Sequence, residues 1–106
     1  MYNMSKPLDE SHHRRLYEIL AKINNPDDIK IFLEDLCTIN EVNQMALRLQ
    51  CAELMLQGHT YNQITDKSSI SSATLSRVSR CIQYGSGGYS KILASFVNHT
   101  EDKNDS

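Results

Sequence analysis

Nothing in this sequence approaches the roughly 20 consecutive apolar residues that cross a bilayer as a helix, and the N-terminus lacks the apolar stretch of a signal peptide. Membrane insertion and secretion are therefore not expected, and the chain is assigned to the cytoplasm. Cysteine is scarce: Cys37, Cys51 and Cys81 are an odd number with no Cys-x-x-Cys pair. That disfavours a disulfide framework and a cysteine-based zinc site, and it fits a reducing compartment. His12 and His13 are adjacent, so on a helix they point to different faces, and no carboxylate or cysteine is spaced to complete a metal site with them. Gly85-Ser86-Gly87-Gly88 is the one glycine-rich loop. It follows a helical stretch, has no strand before it and no Lys-Ser/Thr behind it, and Ser86 has no base beside it. Without a nucleophile, a carboxylate pair or a phosphate cradle, an enzyme is not expected.

What remains is an ordinary globular composition, 40 % hydrophobic and 23 % charged over 106 residues. That is one domain, or one subunit of a small assembly, because so short a chain buries only part of its surface alone. The net charge of −2 hides an uneven distribution. Residues 1–57 carry six Lys/Arg against nine Asp/Glu. In residues 58–91, Lys67, Arg77, Arg80 and Lys91 face Asp66 alone, and residues 92–106 are again acidic. Electrostatic footprints are local, so the mildly acidic total does not exclude a polyanionic partner.

The hydrophobic period is helical nearly throughout. Leu8, His12, Leu16, Ile19, Leu20 and Ile23 form one stripe, predicting a helix over about 8–24. Asn25-Pro26-Asp27-Asp28 reads as an N-cap, a proline at the first helical position and two carboxylates on the positive helix end, opening a helix over 26–36. Thr38-Ile39-Asn40-Glu41 is a capping box, and the helix behind it runs to Gly58. That helix is apolar on several sides. Too few other elements exist to cover it, which implies a second subunit. A second capping box, Thr60-Tyr61-Asn62-Gln63, opens a short helix to Lys67. Ser71 caps a helix to Tyr84, and a last short helix carries Tyr89, Ile92, Leu93 and Phe96. Tyr84 and Tyr89, flanking the glycine-rich link, are expected to pack, and residues 98–106 to form a polar, frayed tail.

Residues 60–84 thus have the layout of a helix-turn-helix. Ile64, Ile70, Leu75, Val78 and Ile82 would pack inside it. The opposite face presents Ser71, Ser72, Ala73, Thr74 and Ser76 for groove contacts, with Arg77, Arg80 and Lys67 for phosphate. Small hydroxyl residues at a helix N-terminus permit close approach and donate hydrogen bonds to phosphates or base edges. Two amphipathic helices packed in a bundle would show the same pattern without any DNA. Thr65 stands where such motifs usually have Ala, Ser68 where they have an apolar residue and Ser69 where they have Gly.

The blocks Glu34-Asp35-Leu36-Cys37-Thr38-Ile39-Asn40-Glu41 and Ala73-Thr74-Leu75-Ser76-Arg77-Val78 resemble the Trp-repressor superfamily, and within it the Trp-repressor-like proteins of YerC/YecD type. Arg80-Cys81, Tyr84-Gly85 and Gly88-Tyr89 extend the likeness, which covers roughly residues 10–97. The resemblance implies an all-α, six-helix subunit over 1–97 in an intertwined homodimer. Such a dimer would read a pseudo-palindromic operator in double-stranded DNA and act as a transcriptional repressor. It also implies an effector pocket at Thr38, Arg48, Arg77, Val78 and Cys81, where two planar guanidinium groups could clamp an amino acid. Val78 replaces a glycine and Cys81 a serine of the Trp-repressor pocket. Whether the pocket takes tryptophan, another small corepressor or nothing stays open, and no other cofactor is expected. Arg48 could instead pair with a carboxylate such as Glu53 or one from the other subunit. The competing function is a helical adaptor dimer that kept the fold without DNA binding.

Overall fold

The structure, a computed structural model, describes the backbone of residues 8–105 and the side chains of residues 8–96. Six helices and no strand are found there: α1 (Glu10–Lys22), α2 (Pro26–Leu36), α3 (Ile39–Leu56), α4 (Tyr61–Lys67), α5 (Ser72–Tyr84) and α6 (Gly88–Asp105). The local signals act where the sequence puts them. Asn25 accepts from the Asp28 N–H at 2.9 Å. At the start of α3, Glu41 N–H donates to Thr38 Oγ1 at 3.0 Å while Thr38 N–H donates to Glu41 Oε1 at 2.8 Å. These bonds to Thr38 hold the Glu41 carboxyl below the usual carboxylate range. Thr60 and Gln63 close the same reciprocal box on α4. One boundary differs from expectation. The backbone of α6 continues to Asp105, because no proline or glycine interrupts residues 89–105.

The chain divides into two compact units, the first ending at Val42 and the second beginning at Asn43. In the first, neither α1 nor α2 contains a buried residue. Leu16, Ile19, Leu20, Ile23, Phe32 and Leu33 reach only half-burial, and a shallow cleft lined by residues of both helices includes Ile19, Ile23, Ile31 and Phe32. Leu8, Tyr17, Ile31, Leu36 and Ile39 are exposed, Ile39 by 80 %.

The second unit has a closed core. Cys51 and Ala52 of α3, Ile64 of α4, Ile70 of the turn, Leu75 and Val78 of α5 and Leu93 of α6 are buried together. Leu47, Leu54, Met55, Ile82 and Tyr89 pack around them. The five residues expected inside the helix-turn-helix therefore all lie in or against this core. Burial pushes the Cys51 thiol up, which keeps it protonated and inert. Met45 and Leu49 on α3 remain exposed, so the apolar excess of this helix is not absorbed within the unit.

Candidate nucleic-acid interface

The turn between α4 and α5 departs from the usual helix-turn-helix at three residues, and each departure has a local explanation. Ser68 is half-buried where an apolar side chain is usual, and its hydroxyl donates back to the Ile64 carbonyl at 2.8 Å. Thr65 likewise bonds to the Asn62 carbonyl at 3.0 Å. Ser69 needs no glycine, because among the described residues no non-glycine residue has a positive φ. The turn closes entirely in backbone conformations open to any residue, with Ser68 extended at φ −150°.

Ile70 then enters the core and Ser71 starts α5. The Ser71 side chain accepts from Thr74 N–H at 3.2 Å and donates to Thr74 Oγ1 at 3.1 Å. Both hydroxyls are thus used in capping. Ser72, Ala73, Ser76, Arg77 and Arg80 are exposed, while Leu75 and Val78 point inward. Alternation of buried and exposed positions at helical spacing gives α5 an inner and an outer face, and the outer one carries small hydroxyl groups followed by two guanidinium groups. Among the described residues, neither Arg77 nor Arg80 enters an ion pair. Both charges are therefore available to an anion.

Lys67, at the end of α4, stands apart from them. Its Nζ lies 2.8 Å from Nε2 of His59, whose Nδ1 lies 3.1 Å from the Leu54 carbonyl oxygen. Sequence reasoning passes over His59, which has no periodic or motif signal; the only pointer is its place immediately after the helix-ending Gly58.

The residues of the expected effector pocket have varied surroundings. The Thr38 hydroxyl is used in capping α3. Arg48 is half-buried and, among the described residues, makes no ion pair, so it does not pair with Glu53. Val78 takes the core position expected of it inside the helix-turn-helix. It is wholly buried in the core of the second unit, in the same cluster as Ile64 of α4 and Leu75 of α5. Cys81 is exposed and Cys37 half-buried. Tyr84 corrects the sequence reading: it is 82 % exposed, whereas Tyr89 packs on the core. The helical period gives the reason: two residues beyond the core-packed Ile82, Tyr84 falls on the far side of α5, which ends there with Gly85 N–H on the Cys81 carbonyl at 2.9 Å. A Cβ at Gly85 would sit 2.5 Å from that same oxygen, so only glycine lets the chain leave α5 here, immediately beyond Tyr84.

Comparison with known proteins agrees with this architecture. The family model described as Trp repressor protein matches residues 11–96. The uncharacterised protein YerC of Bacillus subtilis (strain 168) is 36 % identical over 92 residues, 87 % of this chain and 88 % of its own length. A crystal structure of a candidate Trp repressor from Staphylococcus aureus superposes with a TM-score of 0.77 at 36 % identity, covering 81 % of this chain and 86 % of that one. A TrpR-like protein from Eubacterium eligens ATCC 27750 follows with a TM-score of 0.73 at 32 % identity, covering 78 % of this chain and 86 % of its own. With nearly the whole helical region matched in both sequence and fold, this chain belongs to the Trp repressor family.

Proposed function

We propose that this chain is a DNA-binding transcriptional regulator that works in the cytoplasm as a homodimer and represses by occupying a pseudo-palindromic operator. The observation that carries the reading is the outer face of α5. Ser72, Ala73 and Ser76 lie exposed near the N-terminus of a helix whose inner face is fully packed, and the unpaired Arg77 and Arg80 follow on the next turns. The hydroxyl groups suit base edges or phosphates in a groove, and the guanidinium groups suit phosphate. Family membership supports DNA binding and dimerisation alike.

The dimer is further supported by the first unit, which leaves its apolar residues uncovered. A symmetric dimer would set two copies of α5 about one helical turn of DNA apart, and this spacing requires an inverted repeat in the operator. The half-buried, unpaired Arg48 supports a small anionic effector, such as an amino acid held through its carboxylate.

Salt dependence tests this reading. With Arg77 and Arg80 contributed by both subunits, about four phosphates are neutralised, so log affinity should fall against log salt with a slope of about −3 to −4. A flat response would count against DNA as the partner and in favour of the adaptor.

A further inference from the structure

The link between His59 and Lys67 depends on where the imidazole carries its proton. Helix α3 ends in a Schellman motif: Gly58, at φ +92°, donates to Met55 O and His59 N–H donates to Leu54 O, both at 3.0 Å. The Leu54 oxygen also meets His59 Nδ1 at 3.1 Å. A carbonyl oxygen can only accept, so Nδ1 carries the hydrogen. In the neutral ring Nε2 is then a bare lone pair, and the Lys67 ammonium, which can only donate, lies 2.8 Å from it. Every partner is matched, provided the imidazole is neutral.

Protonation removes that match. Nε2 would carry a hydrogen aimed at an ammonium group, with two like charges in contact and no acceptor between them. Among the described residues, neither group forms an ion pair with a carboxylate. Glu53 on α3 and Asp66 on α4, the acidic residues close by in sequence, bond to neither group, and no charged side chain of α5 or α6 bonds to the ring among the described residues. The link also brackets α4 from end to end, since His59 precedes its N-cap Thr60 and Lys67 is its last residue.

We propose that His59 is a positioning residue that controls whether Lys67 can reach the DNA backbone. Neutral His59 ties Lys67 back along α4; protonated His59 releases the ammonium to a phosphate and adds a second positive charge to the same surface. The complex with DNA therefore takes up protons as it forms. This inference rests on the DNA-binding reading, and it makes that binding depend on the protonation state of one imidazole.

The test is the affinity of the full-length dimer for a selected DNA site at about pH 8 and about pH 5.5, across a salt series, together with His59→Gln and Lys67→Ala. Glutamine can donate to Leu54 O and accept from Lys67 without titrating. The wild-type protein should bind about tenfold more tightly at the lower pH, with a salt slope steeper by about one to two. His59→Gln should abolish that gain while still binding at the higher pH, and Lys67→Ala should retain only the smaller part of it that the imidazolium charge supplies. DNA binding that is intact but equally pH-dependent in His59→Gln overturns the proposal alone. Absence of binding by every form, at either pH, overturns the DNA reading and the proposal together. Ring-nitrogen chemical shifts of the free protein test the geometry separately. At the higher pH they should report the Nδ1–H tautomer for His59, and the Nε2–H tautomer would overturn the link whatever the DNA result.

Discussion

Replacing Arg77 with alanine should weaken DNA binding by between about thirtyfold and several hundredfold without disturbing the fold. Arg77 is exposed and makes no ion pair among the described residues, so its removal uncovers no buried charge and opens no cavity. A charge-assisted contact to phosphate contributes about 1–2 kcal/mol net, and a two-fold dimer loses it twice, about 2–4 kcal/mol in all. The salt slope should drop by about two at the same time, one for each lost phosphate contact. Helix content and thermal midpoint by circular dichroism should stay within error of the parent. A variant that folds normally and binds DNA with unchanged affinity and slope would take Arg77 out of the interface. The neighbouring Val78 gives the opposite expectation: truncating it damages the core first, so any loss of binding there reports on folding.

Replacing Ile39 with glutamate should shift the protein from dimer to monomer. Ile39 is the first residue of α3 and is 80 % exposed within one chain. A carboxylate in the first turn suits the helix dipole, so the substitution favours the helix locally while introducing a charge where an apolar partner is expected. Full burial of an isoleucine is worth about 1.5–3 kcal/mol, and a symmetric interface contains it twice, which gives about 3–6 kcal/mol. The dimer dissociation constant should therefore rise by about a hundredfold to ten-thousandfold, as read by sedimentation velocity over a concentration series. Ile31, exposed on α2, should behave in the same direction. If Ile39→Glu sediments as the parent does, the uncovered residues of the first unit are not the dimer contact.

These two expectations draw on features of different legibility. The helix starts were readable because capping is local: Asn25, Thr38, Thr60 and Ser71 each bond to a backbone N–H three residues ahead, so spacing alone identifies them. The core of the reading helices was readable for the same kind of reason, since Ile64, Ile70, Leu75 and Val78 recur at the period of packed helices. The outer face of α5 followed as the complement of that core. Contacts that join residues without a period were not legible. The His59 ring reaches Leu54 and Lys67 only because Gly58 turns the chain back on α3, and Lys67 alone read as a solvent-facing phosphate contact. Tyr84 read as a packing aromatic because aromatics beside a link usually pack. Its exposure follows from the period of α5, which runs through Tyr84 and sets it on the far side of the helix from Ile82.

The central claim is that paired copies of α5 read an inverted repeat, and selection from a random pool of double-stranded DNA tests it most directly. The full chain, verified as a folded dimer, is incubated with the pool with and without a mixture of amino acids, and the retained sequences are determined. A pseudo-palindrome with half-sites about one helical turn apart should be enriched. If enrichment needs one amino acid, that amino acid is the effector expected at Arg48. A pool that emerges unenriched in both arms would contradict the account and leave the adaptor reading in its place.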